Sequence, residues 1–219
     1  IATALEFDLV PLPEFFGGAM VFGPADVERV LRAFASWAPT LPEEVTTSVA
    51  LLRLPSADRA PPRLRGVVSL ALRVGFAGPA ARGEELVAPM RRVAGPLLDS
   101  VGPMPYAAVD GIHMDPTEPM PAVMRGGLLH SLPTGAVDAL LEVAGPDVEV
   151  PLAMAELRLM GGALGRPAGV PNAVAGREGA FSVAVVAPAP PPLADTPPAV
   201  AAGVLAALQP WSPGTSLVN

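Results

Sequence analysis

The chain opens on an alternation of apolar and polar side chains, "ATALEFDLV", which predicts a half-buried strand ending at Pro11. "FFGGAMVF" predicts a second strand. At Pro24 the period changes. "PADVERVLRAFASWA" places Val27, Val30, Leu31, Phe34 and Trp37 on one face and Glu28, Arg29 and Arg32 outside, an amphipathic helix with proline in its first turn. "EVTTSVALLRLP" and "RLRGVVSLALRVGFAG" read as two strands joined by the Pro-rich "PSADRAPP". A second helix is expected at about residues 80–95, with Leu86, Val87, Met90 and Val93 at helical spacing. Its Glu84 and Glu85 lie near the start and Arg91 and Arg92 near the end, the charge order that suits the helix dipole.

Beyond the loop-rich "GPMPYAAVDGIHMDPTEPMP", "AVMRGGLLHSL" is extended and "TGAVDALLEVA" begins a third helix near Thr134. "VPLAMAELRLMGGALG" and "GAFSVAVVAP" are the last two strands, and a Pro-rich connection leads into a fourth helix. Paired strands with helices inserted between the pairs predict an α+β domain: a large, mainly antiparallel sheet covered on one face by helices. Stricter strand-helix alternation would be needed for a doubly wound parallel sheet.

Composition narrows the function classes. The 219 residues are 51% hydrophobic and 16% charged, a chain that folds into one large domain or two small ones. A net charge of -7 with scattered arginines argues against a nucleic-acid surface. With no Cys there is no disulfide, thiolate nucleophile or Cys-based metal site. No apolar run reaches a membrane span and no signal-peptide shape is present, so no membrane partner is expected and the location stays unknown, with a cytoplasmic one favoured.

Candidate chemistry is sparse. "GFAGPAARGEE" and "LMGGALGRP" lack the spacing of a phosphate or dinucleotide loop. His113, between Asp110 and Asp115, reads as a solvated histidine in preference to a metal ligand, and no metal is expected. His130 reads as a surface residue, and Tyr106, the only tyrosine, as a packing element. Glu156 stands in an otherwise apolar strand with Arg158 two positions on, hence on the same face. The pair is either a plain ion pair or, if that face lines a cleft, a candidate general base, Glu156, with its charge partner.

Several segments together resemble FAD-linked oxidases of the berberine bridge enzyme type, within the vanillyl-alcohol-oxidase flavoprotein superfamily. "IATALEFDLVPLPEFFGGAMVF" looks like the passage from the flavin domain into the substrate domain, and "VGPMPYAAVDG" resembles the family's "PMPY" segment. "AELRLMGGALGRPAGVPNAVAGREGAFSV" resembles its strand, Gly-Gly, loop and strand block, and "LAALQPWSPGTSLVN" its approach to a C-terminal flavin-contacting segment.

The resemblance implies that residues 1–219 are one substrate-binding domain, inactive alone, of an FAD-dependent oxidoreductase that passes a hydride from a small alcohol, amine or sugar-like substrate to flavin. FAD would belong to the full-length protein and be bound by a partner FAD-binding domain outside this chain. The family block carries Glu156 as candidate base, with Arg158, Asn172, Arg177 and Phe181 on the substrate side. Arg177 either binds a substrate group or anchors its loop through backbone carbonyls, the latter favoured. Gly176 stands where the pattern has His and Phe181 where it has Tyr, so two proton-transfer groups are absent. The alternative is a stand-alone α+β module that uses an open sheet face for a ligand or for a homodimer.

Overall fold

The computed structural model describes residues 3–54, 62–114, 120–167, 169–170, 172–190 and 196–215. Eight strands form one antiparallel sheet: β1 (Phe16–Phe22), β2 (Val45–Arg53), β3 (Val68–Phe76), β4 (Leu98–Asp99), β5 (Gly102–Pro103), β6 (Ala122–Leu129), β7 (Met154–Leu159) and β8 (Phe181–Pro188). Their order across the sheet is β4-β1-β3-β2-β7-β8-β6, with β5 also on β1. Two locally connected groups, β1-β3-β2 and β7-β8-β6, therefore meet at the single β2–β7 seam. Helices α1 (Val27–Trp37), α2 (Ala80–Arg91), α3 (Thr134–Ala144) and α4 (Thr196–Leu208) complete the domain. The α+β architecture expected from the periodicity is the one found.

The main core lies between the helices and one sheet face. It takes every second residue of the long strands, among them Met20, Leu72, Val49, Leu157 and Val183, together with the predicted α1 stripe Val27, Val30, Leu31, Phe34 and Trp37. Arg53, at the end of β2, donates from Nη2 to the carbonyls of Ala144, Gly145 and Val148, placing a cation against the C-terminus of α3.

Three expectations need correction. "ATALEFDLV" forms no strand: Leu5, Phe7, Leu9 and Val10 are 84%, 77%, 86% and 82% exposed. Alternation becomes a strand only beside a partner, and the two sides of β1 are already taken by β3 and by β4 and β5. Second, α2 stops at Arg91, short of residue 95, and carries Pro89 within it. Third, β4 and β5 went unseen in the loop-rich region because two residues carry no period. Between them Ser100 exchanges hydrogen bonds with both backbone groups of Ala19. That crossing needs Gly18, at φ +144, since a Cβ there would sit 2.4 Å from the Ser100 carbonyl oxygen.

Candidate functional site

Among the described residues the second face of the sheet is free of the helices α1–α4 and carries the short 3-10 turns Pro62–Leu64 and Tyr106–Ile112. Period-2 alternation and the observed register send to it Ala19 from β1, Ser69, Ala71 and Arg73 from β3, and Ser48 and Ala50 from β2. Glu156 and Arg158 follow from β7, and Ser182, Ala184 and Val186 from β8. The β1-β3-β2 half is covered nonetheless. Leu64 packs on Val21 and Ala71 at one end. At the other, Phe15 lies over Gly17 and Gly75 with Ile112 beside it, and Tyr106 meets the Phe15 ring edge-on, centroids 5.4 Å apart. Tyr106 thus packs as expected while staying exposed. The β7-β8-β6 half is left half-exposed: Met154, Ser182, Ala184 and Val186 are partly accessible and Met124 is 57% exposed.

Glu156 sits at the boundary between the two halves, its side chain 7% exposed. Its Oε1 accepts from Ser48 Oγ at 2.8 Å and from Arg73 Nη1 at 2.8 Å, and its Oε2 accepts from Arg158 Nη2 at 3.1 Å. Arg73 is buried as well, and its Nη2 reaches the His113 carbonyl at 3.4 Å, tying the carboxylate to the segment after "PMPY". Arg158 has a side chain 45% exposed. Burial alone would raise the Glu156 carboxyl, but the Ser48 hydrogen bond and the charges of Arg158, Arg73 and His113 together hold it below the usual carboxylate range. Glu156 is an ionised carboxylate at neutral pH, with Oε1 bonded twice and Oε2 bonded once, by the half-exposed Arg158.

Arg73 and Ser48 were not singled out in the sequence. Their only signal was a charged and a hydroxyl residue at sheet-facing positions of otherwise apolar strands, which requires the strand order to interpret. Arg73 Nε and Ser69 Oγ are buried donors without a partner among the described residues.

The other expected site residues gather elsewhere. Arg177 Nη1 donates to the carbonyls of Leu164 and Arg166 at 3.0 and 3.1 Å, and its Nη2 to Asn172 Oδ1 at 3.4 Å. Asn172 Oδ1 also accepts the Val174 N–H, and Arg166 forms a two-point ion pair with Glu43 at 2.6 and 2.7 Å. These contacts fold the β7–β8 loop on itself. No hydrogen bond or ion pair among the described residues joins it to the Glu156 cluster. Phe181 is corrected outright: it is 1% exposed and packs on Phe34 in the helix-side core, centroids 6.2 Å apart. Odd positions of β8 face the helices, so the position that shares a face with Glu156 and Arg158 is Ser182.

Among the described residues no group of side chains could hold a metal ion. Asp115, the second carboxylate near His113, lies outside the described residues. No described helix is long and apolar enough to cross a membrane. A groove of about 320 Å³ between β6, β8 and α4, lined by Gly127, Leu129, Val183, Leu205 and Ser212 among others, contains no ionisable side chain. Of the residues singled out in the sequence, Glu156 and Arg158 are the ones the structure brings together on one sheet face.

No protein-family model and no curated protein matches the chain. Solved structures do. A berberine bridge enzyme-like protein from Physcomitrella patens superposes with a TM-score of 0.74 at 13% identity, over 94% of this chain and 46% of its own. Berberine bridge enzyme itself, in a single-residue variant, gives 0.69 at 14% identity, over 96% and 44%. A flavinylated glucooligosaccharide oxidase from Acremonium strictum gives 0.67 at 13% identity, over 90% and 43%. The chain has the fold of part of these proteins and spans less than half their length. They belong to the group that the sequence motifs resemble, so two independent routes reach one fold.

Proposed function

We propose that this chain is the substrate-binding part of an FAD-dependent oxidoreductase. The observation that carries the reading is the ionised, buried carboxylate of Glu156 on the helix-free face, beside a half-exposed guanidinium, in a fold otherwise seen joined to a flavin-bearing remainder. The residues fit one wall of a flavin site. An apolar, partly accessible strip runs from Arg158 along β7 and β8, and a flat ring system can face it across a substrate. They do not fit the cofactor's phosphates, for which the chain offers no loop, so FAD would be held by a domain outside it.

Flavin, when bound, supplies the hydride acceptor. This chain's contribution is to hold a small alcohol or amine against that acceptor and to take its proton. Glu156 Oε2 is the accepting atom, because Oε1 is filled by Ser48 and Arg73. Its low basicity is suited to a proton that becomes acidic only as hydride leaves, and keeps the base ready well below neutral pH. Arg158 keeps Oε2 in place, and Arg73 and Ser48 keep the carboxylate from turning.

The test is made on the longer polypeptide encoded with this chain. Its visible spectrum is expected to show bound flavin where the 219-residue chain shows none. Glu156→Gln should leave flavin content unchanged and slow flavin reduction by substrate about 100-fold. A folded long polypeptide without flavin would overturn the reading, leaving the uncovered face to a second copy of the chain or another ligand. Unchanged reduction in Glu156→Gln would remove Glu156 as the base.

A further inference from the structure

Among the described residues the charges on the helix-free face do not cancel. Arg73 and Glu156, both buried and 2.8 Å apart, neutralise each other. Arg158 is then a surplus cation, since its one hydrogen bond, at 3.1 Å, goes to a carboxylate already matched. Across the sheet its register partners are Ser48 on β2 and Ser182 on β8. Neither is acidic. No other carboxylate among the described residues bonds to Arg158, whose Nη1 and Nε have no protein acceptor there, and the Ser182 hydroxyl is likewise unengaged. The remaining nearby charge, His113, is of the same sign when protonated.

Running away from Arg158 on the same face are Glu156 and Met154 of β7, Ala184 and Val186 of β8, and Met124 of β6, which faces Val186. Arg158 to Met154 is four residues, about 13 Å of strand. Beyond Glu156 the described side chains along that distance, Met154, Ala184, Val186 and Met124, are apolar.

Building on the substrate-side reading of this face, we propose that the site takes an amphiphilic anion. A small-molecule carboxylate would place its charged head on Arg158 and Ser182 and lay an apolar body along Ala184, Val186, Met154 and Met124. Arg158 offers a carboxylate unused guanidinium N–H groups. The Glu156 proton-accepting oxygen then lies beside the middle of the ligand, and the ligand's reacting carbon lies a few ångströms from its anionic end. The substrate class is thus a hydroxy or amino carboxylate with an apolar tail.

Three matched probes test this: 4-phenylbutyrate, 4-phenyl-1-butanol and 4-phenylbutylamine, each titrated into the ¹⁵N-labelled 219-residue chain. The acid is expected to bind at least about tenfold tighter than the alcohol, with saturable shifts at the Arg158 Nε–H and the Ser182 amide. Arg158→Gln should erase that preference and Arg158→Lys retain part of it, while Arg29→Gln, on α1, changes nothing. Equal binding of acid and alcohol, preference for the amine, or shifts that map away from β7 and β8 would overturn the inference. Repeating the titration on the longer polypeptide separates the two readings. Flavin without acid preference sinks only the anion proposal, and acid preference without flavin sinks only the oxidoreductase.

Discussion

Along β8, Phe181, Val183, Val185 and Ala187 are buried against the helices, while Ser182, Ala184, Val186 and Pro188 between them stand half-exposed on the other face. The helix-covered face is held by close packing of apolar volume, with Arg53 as the charged group at its margin, bonded to the C-terminal end of α3. The helix-free face carries Glu156, Arg73 and Ser48 buried across the β2–β7 seam and a half-exposed, mostly apolar surface along β7, β8 and β6. A strand's two faces thus divide its labour: one supplies folding energy, and the other carries a charge cluster of a kind that well-packed hydrophobic residues often replace without loss of stability.

Neighbouring substitutions test that division most sharply. Phe181→Ala should cost about 3–5 kcal/mol in chemical denaturation, from lost burial and a cavity against Phe34. Ser182→Ala, one residue on, should stay within about 0.5 kcal/mol. Similar costs at both positions would mean the helix-free face is also a stability core.

The buried pair comes next. Arg73→Met strands the Glu156 carboxylate and should destabilise by about 3–5 kcal/mol, with much of it recovered in Arg73→Met/Glu156→Leu. The same cluster sets a pH signature. Because the folded-state carboxyl of Glu156 is lowered, its contribution is present above the ordinary carboxylate range and lost as pH falls through the lowered value. The stability difference between the native chain and Glu156→Gln should therefore be constant from about pH 5 to 8 and shrink below about pH 4. A difference that persists undiminished at pH 2 would mean the carboxylate is not what the cluster stabilises.

The smallest effect is expected in the loop. Arg177→Gln removes two carbonyl contacts and the link to Asn172 and should cost about 1 kcal/mol, with no change in the binding of the carboxylate probe. A tenfold loss of probe binding would return Arg177 to the ligand side.

These contrasts also mark what could be read from the residues alone. The α1 stripe and the paired long strands were legible because periods of 3.6 and 2 are written locally, and the Glu156–Arg158 pair followed from a spacing of two. Arg73 and Ser48 were not legible, since they meet Glu156 only through β2–β3 and β2–β7 pairing. Phe181 was misplaced because motif resemblance locates a residue in a block without saying which face it takes. The N-terminal alternation misled for a related reason: the pattern is real, but no partner strand lies beside it among the described residues.

The β2–β7 seam has one more consequence, in time. Ser48 and Arg73 leave the ribosome long before Glu156, 108 and 83 residues later in the chain, and β1-β3-β2 can pair as a local group in the interval. Until β7 arrives, Arg73 has no counter-charge and the outer edge of β2 is open to solvent or to another nascent chain. Closure of that edge and completion of the charge cluster are therefore one event, so a molecule with its Glu156 cluster assembled is a molecule whose most aggregation-prone edge is already sealed.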